Sequence, residues 1–344
     1  MDVLSPKPPL RSPRHSERHS LSVVVPVFDE EAVLPEFHRR LASVLERIDA
    51  DAEIIYVNDG SRDPTRALLT ELHGSDPRVA VIDFTRNFGK EVAMSAGLDA
   101  AAGDAVVVID ADLQDPPELI PEMVAAWQNG FDIVLMRRRT RAQESWLRKL
   151  TASLFYRAMG GLGNNGIPAD VGDFRLLSGR ATAAMRRLPE RARFMKGLFT
   201  WIGFPTTEIA YDRDGRFAGQ SKWSYWRLWN FALEGITSFS VVPLKLASYV
   251  GLATAFVAFI YALKVIVATL LYGDPVAGYP TLVVLVLFLG GLQLMALGLI
   301  GEYLARMFIE VKQRPLYLVL RHLPPTRPLQ NSHATEHAAR WPAL

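Results

Sequence analysis

The sequence predicts an α/β domain with a mostly parallel sheet covered by helices on both faces, followed by two membrane-spanning helices. Three observations carry that expectation. Short apolar runs alternate with amphipathic segments from Leu21 to Asp112, the pattern of repeated βα units. Two long uncharged stretches follow Leu246. Acidic residues gather where the apolar runs end, the place where open α/β sheets bind ligands.

Each element has its own signal. "LSVVVPVF" reads as a buried strand, and "EEAVLPEFHRRLASVLERI" as an amphipathic helix. "AEIIYVND" is a second strand with a polar end. In "DPTRALLTELHGS", Asp63 suits an N-cap, Pro64 the first helical position and Gly74 the helix end. "RVAVIDF" is a third strand, "KEVAMSAGLDAAAG" a helix closed by Gly103, and "AVVVIDAD" a fourth strand.

Leu246 to Leu263 carries no charge, and the apolar run resumes after Lys264 as far as Tyr272; a second uncharged stretch runs from Val276 to Gly301. About 20 apolar residues suffice to span a bilayer, and Lys264 sits near one end, from where it can snorkel. A pair of buried core helices is the competing reading. The intervening "LYGDPVAG" holds no Lys or Arg. Arg227 and Lys245 flank one side, and Arg306, Lys312, Arg314 and Arg321 the other. The positive-inside rule therefore puts both termini in the cytoplasm of a cell whose inner (plasma) membrane carries the chain. Trp223, Trp226 and Trp229, with Tyr225 and Phe231 among them, suit a helix lying in the interface or packed under the soluble domain. The expected organisation is a disordered tail over 1–20, the α/β domain over 21–222 and an interface helix over 223–243. Spans over 244–272 and 276–305 and a cytoplasmic tail over 306–344 complete it.

Composition excludes several chemistries. The chain has 344 residues, no cysteine and a formal charge of only +2. Disulfides, thiolate catalysis and Cys-based zinc sites are ruled out, and no basic excess points to nucleic acid. The seven histidines are scattered and form no metal-binding pattern. The first twenty residues lack an apolar core and so do not form a signal peptide.

The polar strand ends define a candidate site. The first strand ends at Pro26-Val27-Phe28-Asp29-Glu30, the second at Asn58-Asp59-Gly60 and the fourth at Asp110-Ala111-Asp112. Alternation along a strand puts Asp110 and Asp112 on one side of the chain. Two such carboxylates repel unless a cation sits nearby. A divalent ion holding a diphosphate is one guest that fits; a solvated turn is the other reading.

Taken together, "VVVPVFDEE", "VNDGSRDPT", "TRNFGKEVAMSAGLDAAAGD", "DADLQDPPE", "GDFRLL" and "RFAGQSKW" resemble the family 2 glycosyltransferases with a GT-A (Rossmann-like) fold. With two C-terminal spans, the chain resembles their polyprenyl-phosphate branch, which includes dolichol-phosphate mannose synthases and bacterial GtrB-type and ArnC-type enzymes. The resemblance covers roughly residues 21–317 and leaves out the tails.

That resemblance implies roles. Pro26, Val27, Phe28, Glu30 and Asp59 would hold the nucleobase and ribose, with Arg86 and Lys90 near the nucleotide. An Asx-turn at Gly60 is the other reading of Asp59. Asp110 and Ala111 would face the nucleotide sugar, Asp112 would hold Mg²⁺ or Mn²⁺, and Gln114 would touch the sugar or the diphosphate. Asp173 matches the position often assigned as base; orienting the acceptor or sugar, or capping the helix after it, are its other readings. "MGGLGNNGIPAD" suits a loop over the acceptor. Arg213, Arg216, Ser221 and Lys222 suit the phosphate of a lipid carrier, or else a basic patch for anionic lipids.

The expected activity is inverting transfer of one sugar from a nucleoside diphosphate, most simply UDP-glucose, to undecaprenyl phosphate. A processive polysaccharide synthase fits poorly, since no QxxRW follows the DxD. A non-catalytic transporter or flippase subunit would leave the acidic rim without purpose. Two spans bury little surface alone, so self-association is expected, as a tetramer by resemblance.

Overall fold

The computed structural model describes residues 19–139, 171–191, 193, 195–212, 242–272 and 278–329. These fall into two units, one built from residues up to 224 and from 315 onward, the other from 225–314.

The first unit is an α/β domain around one eight-stranded sheet. Its N-terminal half follows the βα alternation: β1 (His19–Val27), α1 (Leu34–Leu45), β2 (Ala50–Asn58), α2 (Thr65–Ser75), β3 (Val79–Phe84), α3 (Lys90–Ala100) and β4 (Ala105–Val108). There follow α4 (Ile120–Gln128), β5 (Ile133–Arg138), β6 (Val171–Ser178), α5 (Gly179–Arg186), α6 (Met195–Trp201), β7 (Thr206–Tyr211) and, after the second unit, β8 (Val319–Leu323).

β1 and β2 are buried along nearly their whole length, as continuous apolar strands covered on both faces should be. α1 turns Leu34, Phe37, Leu41, Val44 and Leu45 inward. α3 lies so close on β1 that a side chain at Gly97 would overlap Val24. The first turn of α2 corrects the cap position by one residue: the helix starts at Thr65, and Asp63 accepts from the Thr65 amide (3.1 Å).

The strand order β7-β5-β6-β4-β1-β2-β3-β8 is mixed, which corrects the mostly parallel expectation. β4-β1-β2-β3 is parallel, and so is β5–β7. β6 runs antiparallel between β4 and β5, and β8 antiparallel on the β3 edge. Antiparallel strands need no βαβ crossover, so their direction leaves no mark in the alternation pattern.

Two boundaries also move. His19 and Ser20 belong to β1 rather than to a tail. The segment after residue 306 is not all tail: it completes a helix and then forms β8. The proposed interface helix over 223–243 lies almost wholly outside the described residues, as does the glycine-rich "MGGLGNNGIPAD".

The second unit holds two long helices, α7 (Val242–Tyr272) and α8 (Tyr279–Lys312). At 1.5 Å per residue their 31 and 34 residues extend well beyond the ~30 Å of a bilayer core. Large apolar side chains stand bare on both, among them Leu252, Phe259, Leu270, Leu294 and Met295. Among the described residues one stretch, Phe288–Lys312, meets the length and apolarity needed to cross a membrane.

Candidate active site

The site forms at the C-terminal ends of the parallel strands, and the antiparallel β6 completes it. Val108 of β4 pairs with Arg175 of β6. Two residues beyond Val108 comes Asp110, and two residues before Arg175 comes Asp173. Antiparallel register thus brings together two acids 63 positions apart in the chain. Lys90, the first residue of α3, lies between them. Its Nζ donates to Asp110 Oδ2 at 2.7 Å and to Asp173 Oδ2 at 2.5 Å.

This triad sets the local electrostatics. Burial works to discharge Lys90, but the two carboxylates outweigh it and hold the ammonium well above the ordinary lysine range. Burial also opposes the charge on Asp173, yet Lys90, Lys196 and Arg175 together hold its carboxyl well below the usual range. Burial raises the Asp110 carboxyl against the pull of Lys90. The side chains of Asp110 and Asp173 are 20% and 15% exposed, so the triad opens to solvent on one side. Asp173 Oδ1 is buried with no hydrogen-bond partner among the described residues. The helix-cap reading of Asp173 is corrected, because Ser178 caps α5 by accepting from the Ala181 amide (3.2 Å).

Asp110 and Asp112 do not alternate along a strand, as the sequence reading had it. β4 stops at Val108, and residues 111–115 form a turn in which Leu113 takes a left-handed φ of 58°. Asp112 accepts from the Gln114 amide through Oδ1 (3.1 Å), and among the described residues no cation neutralises it. No cluster of three or more His, Cys, Asp or Glu is close enough to cage a metal among the described residues. A single partly exposed carboxylate does fit Mg²⁺ or Mn²⁺, since such ions take one or two carboxylates and complete their shell with phosphate oxygens and water. Gln114 fits a ligand contact in another way: its Oε1 is buried without a partner among the described residues.

The rim around β1 and β2 is knitted by backbone amides. Asp29, at φ 53°, donates its N–H to Ser61 Oγ (3.0 Å) and accepts from the Arg62 amide (2.8 Å). The Glu30 amide donates to Thr65 Oγ1 (3.0 Å). The side chain that bonds the backbone of this turn is that of Asn58, whose Oδ1 accepts from the Ser61 amide (3.0 Å), and not that of Asp59. Asp59 is 3% exposed; its two oxygens accept from the Phe88 and Gly89 amides at 2.6 and 2.9 Å. Burial raises its carboxyl above the ordinary value in spite of these bonds. Asp59 therefore anchors the loop between β3 and α3.

The remaining residues named from sequence divide into three groups. Pro26, Val27 and Ala111 are buried, and the Val27 carbonyl accepts from the Asp59 amide (2.9 Å), which leaves little of them to meet a ligand. Phe28 is 38% exposed at the end of β1. Arg86 is exposed, its guanidinium 4.1 Å over the Phe88 ring. Arg213, Arg216, Ser221 and Lys222 lie outside the described residues.

Several residues at the site went unread in the sequence. Glu91 accepts from the Met195 amide (3.1 Å), and burial, helped by Asp173, pushes its carboxyl up to about 7. Lys196 sits in the field of Asp173, and burial lowers it. Asp115 is buried, with Tyr211 donating to its Oδ1 and Arg138 at 3.8 Å; its Oδ2 has no partner among the described residues. Glu91 and Asp115 stood inside quoted motifs, but only the fold gives them neighbours. Arg138 ends β5, so its signal was a cation at a strand end.

Comparison with known proteins agrees with this geometry. Residues 22–184 match the glycosyl transferase family 2 model, and residues 242–307 match the GtrB C-terminal hairpin. A glycosyltransferase of Synechocystis is 50% identical over 299 residues, covering 87% of this chain and 94% of the relative. A prophage-derived bactoprenol glucosyl transferase of Shigella flexneri is 48% identical over 87% of this chain and 97% of its own length. A prophage bactoprenol glucosyl transferase homolog of Escherichia coli is 46% identical over 88% and 98%. With its acid-rimmed mixed sheet and its C-terminal helical hairpin, the chain belongs to the family 2 glycosyltransferases of GT-A fold that carry a GtrB hairpin.

Proposed function

We propose that this enzyme transfers glucose from UDP-glucose to polyprenyl phosphate with inversion, giving a β-linked lipid-phosphate sugar from an α-linked donor. The carrying observation is the Lys90 bridge between Asp110 and Asp173 at the polar sheet rim. It puts one cation and two acids of opposite tendency where donor and acceptor must meet. The relatives named as bactoprenol glucosyl transferases support glucose as the sugar and a polyprenyl lipid as the acceptor.

In this reading an oxygen of the lipid phosphate attacks the anomeric carbon as the bond to the diphosphate breaks, and the nucleoside diphosphate leaves with the electron pair. A phosphate monoester has its second pKa near ~6, so the acceptor is already an anion at neutral pH. The low basicity of Asp173 supports a positioning role, holding Lys90 and the acceptor, over a role as base. Lys90 offers its ammonium to the phosphates. Asp112 would hold the divalent ion, which when bound offsets charge building on the leaving diphosphate. Gln114 Oε1 and Asp173 Oδ1, both buried without partners among the described residues, are acceptors for sugar hydroxyls.

The bare apolar faces of α7 and α8 support a hairpin of two spans in the plasma membrane. The catalytic unit and both termini then lie in the cytoplasm, and copies associate through the hairpins. Arg213, Arg216, Ser221 and Lys222 grip the lipid phosphate at the membrane edge.

The test is a panel of radiolabelled donors with purified full-length protein and undecaprenyl phosphate. UDP-glucose should yield lipid-linked glucose, and only when lipid phosphate is present. Preference for another sugar would overturn the donor assignment, and sugar release independent of lipid would overturn the acceptor. A tag at residues 274–278 should be reached by reagents from outside the cell; protection of that loop would reverse the topology.

A further inference from the structure

We propose that the segment after the helical hairpin, Tyr317 above all, is a positioning element for the loop that presents Arg86 and Lys90 to the donor. This rests on the donor reading given above. α8 ends at Lys312, and within a few residues the chain becomes the edge strand of the catalytic sheet. Two routes lead from this segment to the site.

The first route is aromatic. Tyr317 stacks on Phe84 with centroids 5.0 Å apart and planes 20° from parallel. Phe84 meets Phe88 edge-on at 5.6 Å. Phe88 carries the Arg86 guanidinium on its ring and donates its amide to Asp59. The Tyr317 hydroxyl donates to Asp99 Oδ2 of α3 (3.0 Å), and the Thr85 amide donates to the Leu318 carbonyl (3.1 Å). Tyr317 thus touches the entry of the Thr85–Gly89 loop at Phe84 and, through Asp99, the far end of α3, the helix that Lys90 begins. The β3–β8 register slips between Asp83 and Phe84, so the ladder weakens where the stacking takes over.

The second route is polar. Arg321 of β8 donates through Nε to buried Asp83 (2.8 Å) and also to Thr70 (3.0 Å). Asp83 accepts from Asn58 Nδ2 (2.8 Å). Asn58 holds the Ser61 amide, and Ser61 receives the Asp29 amide. Charge-assisted bonds in series across three strands hold a rim better than the same bonds separately.

The consequence is that the chain leaving the hairpin sets the donor loop as well as closing a sheet edge. Aromatic pairs add enough beyond their burial to change a binding constant about two- to tenfold. Tyr317→Ala should therefore raise the KM for UDP-glucose about two- to tenfold while the KM for undecaprenyl phosphate stays within about twofold. Tyr317→Phe keeps the stack and loses the bond to Asp99, so its donor KM should lie between those of wild type and Tyr317→Ala. Hydrogen exchange gives a readout that needs no ligand: the Phe88 and Gly89 amides of Tyr317→Ala should exchange about two- to tenfold faster, and amides in the buried strand β1 should not change.

Unchanged exchange at Phe88 and Gly89 in a folded Tyr317→Ala overturns the inference. So does an equal rise in both KM values, which marks a merely structural role. If Tyr317→Ala does not fold, Tyr317→Leu keeps the apolar cover without the ring and is judged by the same two measurements. Faster exchange together with an unchanged donor KM would leave the positioning of the loop standing and remove its role in donor binding, so the proposal as stated falls. A wild-type protein that turns over no nucleotide sugar defeats the donor reading and this inference with it.

Discussion

Gly60→Ala puts the smallest possible side chain into the tightest point of the donor rim. Gly60 takes φ 70°, a region that costs a non-glycine residue about 1 kcal/mol. The added Cβ would lie 2.6 Å from the Asn87 amide nitrogen and 2.9 Å from Arg86 Cα, and closer still to the Arg86 carbonyl carbon. All three are backbone atoms, so no rotamer change relieves the overlap and the 85–89 loop must move. That loop is held by the amides that Phe88 and Gly89 offer to buried Asp59. Hydrogen bonds to a charged group are worth about 1.5–3 kcal/mol each. With partial relaxation, the expected loss is about 3–5 kcal/mol, or roughly 10 °C in thermal midpoint for a domain of this size. Burial already raises Asp59, and loss of its amide donors would raise it further. The folded variant then holds that proton to higher pH than wild type does, so the stability deficit should shrink as pH falls toward 5. Thermal unfolding across pH 5–8, with the UDP-glucose KM measured at the permissive end, checks this. A Gly60→Ala protein that melts within about 2 °C of wild type with an unchanged donor KM would refute the claim that Asp59 and the loop form one unit.

Three further outcomes are expected. Asp112→Asn should abolish Mg²⁺- or Mn²⁺-dependent turnover with the thermal midpoint unchanged; full activity of the wild type in EDTA would remove the metal from the mechanism. Glu91 has a folded pKa of about 7 against an ordinary value near ~4.3. Its stabilising contribution is complete below the unfolded value and is lost as pH rises to about 7. Glu91→Gln, which keeps an acceptor for the Met195 amide, should match wild type at pH 4.5 and exceed it by about 1–2 kcal/mol at pH 8; parallel curves in denaturant titrations would show that Glu91 does not titrate there. Lys222→Ala should raise the KM for polyprenyl phosphate and lower kcat/KM about ten- to a hundredfold while sparing donor affinity. Weakened nucleotide binding in the absence of lipid would assign that lysine to the donor instead.

The sequence by itself determined the β1-to-β4 alternation, the acidic strand ends, the family and the two long apolar segments. Each of these is local: burial on both faces writes continuous apolar runs such as "SVVVPV", and a polar rim interrupts them at Asp59 and Asp110. The direction of a strand inserted without a crossover has no local trace, so the mixed sheet had to come from tertiary structure. With it came the meeting of Asp110 with Asp173 around Lys90. The same holds for β8, whose few residues read as tail because their partners, Phe84 and Asp83, lie more than 200 positions away. Asp59 shows the limit at a single residue. Sequence named it from its chemistry as a ligand contact, and only the fold shows it buried with both its oxygens accepting from the amides of a loop. A carboxylate has the same chemistry in either role, and only its neighbours decide which one it fills.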